Sequence, residues 1–244
     1  MNGHLESIID QQTWLWQATG RARLRFYYAR LRAWWFASRK WYRVRKVCGF
    51  LPDVAERRIV VGLGMHRTGT KSLCTYLRSL GLKDIHWPWW CERQISTHLK
   101  DPEKIVDILE PLFYNYDCFA DFPFPGLYRV LDRRFPNSRF ILVRRDPDNW
   151  VRSVRKHWAL DKGPHRLHPF EEVVYHQYEP SDLSVLSIDD APSLISKLAR
   201  HSEEVQAYFD GRADRLLVVD LEDARINERI SEFLGMEVRP YPHQ

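Results

Sequence analysis

A glycine-bearing run of polar and basic residues at 64–72 has the composition of an anion-binding loop. The run reads Gly64-Met65-His66-Arg67-Thr68-Gly69-Thr70-Lys71-Ser72. It separates a β-branched stretch from a segment with helical spacing, so its N–H groups would lie at a helix N-terminus, where unpaired donors bind anions. Glycine lets the backbone approach closely, and a guanidinium can bind two oxygens of phosphate or sulfate at once. Phosphate or sulfate recognition is the chemistry expected here.

The spacing of this loop differs from that of the nucleoside-triphosphate loop, G-x-x-x-x-G-K-[ST]. Gly64 and Gly69 are correctly spaced, but Thr70 occupies the lysine position and Lys71 comes one residue late. One residue turns a side chain about 100° around a helix, which disfavours the usual triphosphate and magnesium geometry. A kinase or NTPase remains an alternative, with Asp220 as its candidate magnesium ligand. An ordinary strand–helix turn is the structural alternative.

A second candidate anion site lies at 140–153. The run reads Phe140-Ile141-Leu142-Val143-Arg144-Arg145-Asp146-Pro147-Asp148-Asn149-Trp150-Val151-Arg152-Ser153. An apolar strand ends in Arg144 and Arg145, and Ser153 follows eight residues after Arg145. A guanidinium and a hydroxyl near a helix start can hold a dianionic phosphate. The alternative is a surface arginine pair with Ser153 as a plain helical residue.

The two motifs together resemble those of sulfotransferases that use 3′-phosphoadenosine 5′-phosphosulfate (PAPS). In that family a strand is followed by [K/R]-[S/T]-G-T and a helix, an order that residues 67–70 reproduce as Arg-Thr-Gly-Thr. A second strand of the family ends in an arginine with a serine eight positions later, which Arg145 and Ser153 match. The resemblance runs from Arg57 to the C-terminus and is to a broad sulfotransferase-like branch.

The resemblance implies transfer of a sulfuryl group from PAPS to a hydroxyl or amine, with adenosine 3′,5′-bisphosphate (PAP) as product and no metal required. The residues that it assigns to PAPS binding are His66, Arg67, Thr68, Gly69, Thr70, Lys71, Ser72, Arg145 and Ser153. Arg67 would neutralise charge on the bridging oxygen and the departing 5′-phosphate. The expected acceptor is a carbohydrate, a glycolipid or a small molecule, and the sequence does not choose among them.

A hydroxyl acceptor also needs a base. Cytosolic relatives place a histidine in a His-x-Pro step, where this sequence has Asp121 in an Asp-Phe-Pro step. Asp121 is therefore the first candidate, and a carboxylate that caps the next helix is its structural alternative. His86, which follows a predicted strand at 82–85, is the second candidate, and its alternative is a partly buried histidine beside Trp87. His157 and His66 are weaker candidates.

Three tryptophans follow the same predicted strand. The run Trp87-Pro88-Trp89-Trp90 lies where ligands bind in open α/β sheets, beyond the carboxyl ends of the strands. It could form a platform for a sugar, stack on adenine or belong to the core.

Strands and helices alternate along residues 57–244. The expected strands are 58–63, 82–85, 139–143 and 216–221, and the expected helices are 71–80, 102–112, 126–135, 149–158, 191–210 and 226–234. Alternation of this kind predicts an α/β domain with a mostly parallel central sheet, helices on both faces and a P-loop-like nucleotide-binding core. The His- and acid-rich segment 164–190 has no clear pattern.

Positive charge is concentrated in residues 21–46, which contain ten Lys and Arg and no Asp or Glu. The whole chain carries +5, so the remainder sums to 5 − 10 = −5. Eight aromatic residues interleave with these cations, and the first proline is Pro52. We expect a helical extension over 1–56 that either packs on the body or contacts an anionic membrane surface. Nucleic acid is a weaker alternative partner for this segment. For the chain as a whole, a non-catalytic nucleotide-binding scaffold at the membrane is the third candidate function, beside a sulfotransferase and a kinase or NTPase.

Four widely spaced cysteines without a CxxC pair indicate reduced thiols rather than a zinc site or disulfide framework. Glu6 and Asp10 interrupt the first residues, so no apolar signal core is expected there. No run reaches the roughly 18 apolar residues of a membrane span. These features favour a cytoplasmic protein, and they do not predict the oligomeric state.

Overall fold

The computed structural model describes residues 56–88, 91–175 and 185–242, together with Cys48. The chain divides between Leu51 and Pro52 into two units, and every element below belongs to the second. The extension predicted over 1–56 lies outside the described residues, except for its positions 48 and 56. Trp89 and Trp90 of the aromatic run lie outside them as well.

The strands are short, and five of them form one main sheet. In the described residues they are β1 (Val60–Gly62), β2 (Asp84–His86), β3 (Cys118–Ala120), β4 (Arg139–Arg144), β5 (His165–Arg166), β6 (Val185–Leu186) and β7 (Leu216–Asp220). The main sheet has the order β2-β3-β1-β4-β7, and all its neighbouring pairs are parallel. β5 and β6 form a separate antiparallel pair.

β1 lies at the centre of the sheet. Val61 is opposite Phe119 of β3 on one side and opposite Phe140 of β4 on the other. The chain first builds β2 and β3 on one side of β1 and then crosses to β4 and β7 on the other. The carboxyl ends of β1 and β4 therefore flank a topological switch point, which is where open α/β sheets bind ligands.

Helices connect the strands. They are α1 (Thr70–Ser79), α2 (Glu92–Ile95), α3 (Pro102–Phe113), α4 (Tyr128–Arg134), α5 (Pro147–Trp158), α6 (Pro169–Tyr175), α7 (Ala191–Tyr208) and α8 (Ile226–Leu234). Local sequence signals explain several ends. Asp146 caps α5 by accepting a hydrogen bond from the N–H of Asn149 at 2.9 Å, and proline occupies the first turn. Gly235 ends α8 in the left-handed conformation.

The helices cover both faces of the sheet. Alternate side chains of each strand point to opposite faces, so Val61 and Leu142 contribute to one apolar core and Val60 and Val143 to the other. The first core is completed by α3 to α7, and the second by α1 and α8. This arrangement confirms the predicted α/β architecture.

The structure differs from the predicted elements at one central strand. β3 (Cys118–Ala120) lies between β1 and β2 and was not predicted, because three residues are too few to show strand periodicity. α1 begins at Thr70 rather than at 71, and the helix expected over 126–135 is a 3₁₀ turn, Phe124–Leu127, followed by α4. Across the described parts of the chain, no helix combines the length and the apolar character needed to cross a bilayer.

Candidate active site at the carboxyl edge of the sheet

The loop between β1 and α1 is shaped by a close approach at Gly64. A Cβ at this position would lie 2.3 Å from the Thr68 hydroxyl oxygen and 2.9 Å from the Val143 carbonyl oxygen. The Thr68 hydroxyl donates to the Met65 carbonyl at 2.7 Å, and its N–H donates to the same carbonyl at 3.2 Å. The loop is thus closed on itself, with glycine where another residue would collide.

The N-terminus of α1 presents backbone donors without a side-chain cap. Its N-cap is Gly69, with φ 90°, and no side chain hydrogen bonds there. The first intrahelical hydrogen bond of α1 runs from the N–H of Leu73 to the Gly69 carbonyl, at 2.9 Å. The N–H groups that precede Leu73 have no carbonyl partner within the helix. This end of α1 therefore suits an anion.

The two predicted phosphate motifs meet directly. The Nε of Arg67 donates to the Ser153 hydroxyl at 2.9 Å, which joins the loop after β1 to α5. An Nη of Arg145 donates to the Arg67 carbonyl at 2.7 Å. The Nε of Arg145 is buried and has no hydrogen-bond partner. The guanidinium is therefore anchored at one end while one of its donors stays unsatisfied.

The neighbouring Arg144 has a different environment. Its guanidinium forms a two-pronged ion pair with Asp220 of β7, at 2.9 Å and 3.0 Å. Arg144 and Arg145 are adjacent in sequence but contact different parts of the chain. Asp220, the candidate magnesium ligand of the kinase alternative, is already paired with a cation.

Both candidate bases lie on one side of the loop and contact each other. The Nε2 of His86 is 3.0 Å from an Oδ of Asp121, and the Thr70 hydroxyl is 3.2 Å from the same ring nitrogen. The other Oδ of Asp121 accepts the N–H of Phe122 at 2.9 Å. The His86 side chain is 31% exposed and that of Asp121 is 9% exposed. Of the two, His86 is the one open to an acceptor.

The electrostatics of this pair favour an ionised carboxylate. Burial alone would raise the pKa of Asp121, but the hydrogen bond and charge of His86 together hold that pKa below its ordinary value. Asp121 does not cap the following helix, which was its structural alternative: its contacts are with His86, Thr70 and Phe122.

His66 is buried beneath the loop rather than exposed in it. Its ring packs edge-on against Phe122 at 5.0 Å and lies 4.7 Å from the ring of Trp158. Burial lowers the pKa of His66 to about 4, against the opposing effect of nearby carboxylates. Its carbonyl accepts the indole N–H of Trp150 at 2.8 Å. The imidazole is therefore neutral, and the residue ties the loop to α5.

Glu171 is a buried carboxylate near His66 that the sequence did not predict. Its carboxylate accepts hydrogen bonds from the indole N–H of Trp158 at 3.1 Å and from the backbone N–H of His168 at 2.7 Å. The Nε2 of His165 lies 3.0 Å from one of its oxygens. Burial would raise the pKa of Glu171, but the hydrogen bond from His165 contributes to a net lowering. The His-rich composition of 164–190 was the one available signal.

The remaining residues assigned to PAPS binding have varied environments. Ser72 is buried and Lys71 is exposed at the start of α1. The Thr68 hydroxyl is committed within the loop, so the loop offers anions the uncapped end of α1 and Arg67 instead. Within the described residues, no group of three or more His, Cys, Asp or Glu side chains could hold a metal ion.

Comparison with known proteins adds two findings. A family model described as a sulfotransferase domain matches residues 59–244, which is more than half of the chain. A crystal structure of shikimate kinase from Bacteroides thetaiotaomicron is similar at 15% identity and a TM-score of 0.41, over 73% of this chain and 98% of that one. No curated protein matches the chain.

Proposed function

The chain belongs to the sulfotransferase domain family, and from that premise we propose that it transfers a sulfuryl group from PAPS to a hydroxyl or amine of an acceptor. The observation that carries the proposal is the meeting of the two motifs at the switch point of the sheet. Arg67 contacts Ser153, and Arg145 contacts the Arg67 backbone, although these residues come from separate parts of the chain.

Three features of the site fit a sulfated nucleotide with two phosphate positions. The uncapped end of α1 offers backbone donors, and Gly64 has no Cβ that would collide with Thr68 or the Val143 carbonyl, so the loop can keep its closed shape. Arg145 has a buried Nε without a partner, which a phosphate oxygen would satisfy. Arg67 and the end of α1 would hold the 5′-phosphosulfate, and Arg145 with Ser153 would hold the 3′-phosphate.

PAPS, when bound, supplies the sulfuryl group: the acceptor oxygen bonds to sulfur as the bond from sulfur to the bridging oxygen breaks, and PAP leaves with that electron pair. Arg67 offsets the charge that develops on the leaving oxygen. Arginine keeps its proton at neutral pH, so this help is electrostatic.

His86 is our candidate for the base that takes the acceptor proton. Its ring is partly exposed, and Asp121 lies at its Nε2 with the charge needed to stabilise an imidazolium. Asp121 is buried and already accepts hydrogen bonds at both oxygens, so its role is to position His86. A base adjacent to the acceptor typically contributes about 10²- to 10⁴-fold in rate.

The kinase alternative has less support. Thr70, at the lysine position of a triphosphate loop, directs its hydroxyl to His86 and Asp121. Asp220, its candidate metal ligand, is paired with Arg144. A non-catalytic scaffold would retain the donor site and lack turnover, so activity distinguishes it from an enzyme.

The test is transfer from ³⁵S-labelled PAPS to a panel of methyl glycosides, glycolipids, phenols and amines. We expect labelled product with the full chain and a loss of at least about tenfold in donor affinity for Arg67→Ala and Arg145→Ala, since each removes a charged hydrogen-bonding group. Bound PAP without turnover on any acceptor class would instead favour the scaffold.

A further inference from the structure

The carboxyl edge of the sheet carries a repeated backbone feature. Among the described residues, four that are not glycine have a left-handed backbone: Arg67, Trp87, Asp121 and Ala159, with φ of 64°, 56°, 70° and 51°. Ala159 is the C-cap of α5, where this conformation is common. The other three follow β1, β2 and β3, at one edge of one sheet.

Bulky residues rarely adopt this conformation, and those that do cluster at functional sites. In the proposed transfer, Arg67 binds the donor and Asp121 positions the base His86. Trp87 is the third residue with this conformation, and no role has been assigned to it above. It directly follows His86, the candidate base, so its ring is attached to the backbone next to the reacting position.

Phe170 of α6 and His168, which directly precedes that helix, contact the indole of Trp87. The Trp87 ring is half-buried, with its centroid 5.5 Å from that of Phe170 and 6.1 Å from that of His168. His168 is itself fixed, because its Nδ1 lies 3.3 Å from a Glu92 carboxylate oxygen and its N–H donates to Glu171. The Glu92 hydrogen bond, with its charge, raises the pKa of His168, against the effect of burial. Trp87 therefore packs against the core on one part of its surface and is accessible on the rest, and it is held by its neighbours rather than loose.

We propose that Trp87 binds the acceptor and that the acceptor group is a sugar ring stacked on its indole, with the reacting hydroxyl directed at His86. This inference rests on the proposed sulfotransferase function. Indole combines a large apolar surface with a polar edge, which suits the C–H face of a sugar.

Polar neighbours decide between a sugar and a flat aromatic acceptor. Glu92 and His168 are partly exposed beside Trp87, with 21% and 28% of their side chains accessible. An apolar ring that covered them would take polar groups from water without replacing their hydrogen bonds, which is unfavourable. The hydroxyls of a sugar would replace them, because carboxylate and imidazole groups bond well to hydroxyls.

The experiment measures transfer from labelled PAPS by the full chain to the methyl glycosides of glucose, galactose, mannose and N-acetylglucosamine, with 4-nitrophenol and a simple amine as the other probes. We expect transfer to at least one glycoside. In Trp87→Ala its KM should rise at least about tenfold, whereas Trp87→Phe should stay within about threefold, because phenylalanine retains an aromatic face. The affinity for PAP, measured by calorimetry, should not change in either variant.

Tyr114→Ala is the matched control. Tyr114 is a half-buried aromatic at the C-cap of α3, which precedes β3 and so lies at the opposite edge of the sheet. Its glycoside KM should equal that of the wild type. An unchanged KM in Trp87→Ala, or transfer to 4-nitrophenol or the amine and to no glycoside, overturns the inference and leaves the sulfotransferase function standing. Transfer to no probe at all contradicts that function itself.

Discussion

At the scale of single residues, the proposed site would combine a donor side built on arginines with a base side built on a histidine and a buried carboxylate. The sequence indicated Arg67, Arg145 and Ser153 through the resemblance of their two motifs to those of the sulfotransferase family, and the structure brings the three residues into one cluster. The contact of His86 with Asp121 could not be predicted, because it needs β2 and β3 to be neighbours, and β3 is too short to be predicted.

Substitutions of His86 and Asp121 should change the rate of transfer but not the affinity for acceptor or nucleotide. We expect His86→Gln to lower kcat by about 10²- to 10⁴-fold, since it removes the proton acceptor. Asp121→Asn should lower kcat by a smaller factor, because the imidazole remains but loses its oriented anionic partner. Acceptor KM and PAP affinity should stay near the wild-type values in both.

His98→Gln serves as the control for that pair, because His98 lies between α2 and α3 and has no part in the proposed site. Steady-state kinetics with labelled PAPS provide the measurement. Full activity in His86→Gln would show that another group accepts the proton.

At the scale of elements, the loop between β1 and α1 depends on the close approach of the Gly64 backbone to Thr68 and to Val143 of β4. A substitution of Gly64 by alanine would place a Cβ against the Val143 carbonyl of β4 and the Thr68 hydroxyl. The sequence shows the glycine spacing, but it cannot show that β4 lies against the loop, since that follows from the strand order.

We therefore expect Gly64→Ala to lower the free energy of unfolding by about 1–3 kcal/mol, as overpacking does. It should also weaken PAP binding, because the loop must shift. Gly211→Ala is the control: its φ is 72°, with open space around its Cβ, so it should cost only about 1 kcal/mol of strain and leave PAP binding intact. Chemical denaturation and calorimetry measure both quantities. Equal PAP affinities in the two variants would mean that the loop does not bind the nucleotide.

At the scale of the whole molecule, buried neutral histidines make stability depend on pH. His201 of α7 is fully buried and hydrogen bonds the Leu63 carbonyl through its Nε2 at 2.7 Å. Burial lowers the pKa of His201 to about 4, below the value of 6.5 expected in the unfolded chain. Between these values the unfolded state binds more protons, so stability falls as the pH falls from 6.5 to 4.

We expect His201→Gln to reduce this slope by up to about 1.4 kcal/mol per pH unit, the effect of one proton. Glutamine can still donate to the Leu63 carbonyl, so the fold should persist. Asp121 and Glu171 have pKa values that are lowered on folding, and their stabilisation is lost at more acidic pH, as they protonate. Urea unfolding at several pH values measures the slope. An identical slope in both proteins would mean that His201 is not buried as a neutral group.

The basic segment at 21–46 stays a prediction, outside the described residues. We expect the full chain to bind vesicles rich in phosphatidylserine, because cations near an anionic surface contribute about 1 kcal/mol each. A variant with the ten Lys and Arg replaced by Gln should not bind, and high salt should release the wild type. Cosedimentation measures both, with phosphatidylcholine vesicles as the control. Binding that persists in the neutral variant would contradict an electrostatic role.

We propose that the loop of residues 64–72 and Arg145 together bind a sulfated adenosine nucleotide rather than a triphosphate. Calorimetric titration of the full chain with PAP and, separately, with ATP and Mg²⁺ tests this most directly. We expect a PAP dissociation constant of about micromolar or below, with ATP–Mg²⁺ at least about tenfold weaker. Micromolar binding of ATP–Mg²⁺ with no binding of PAP would contradict this proposal.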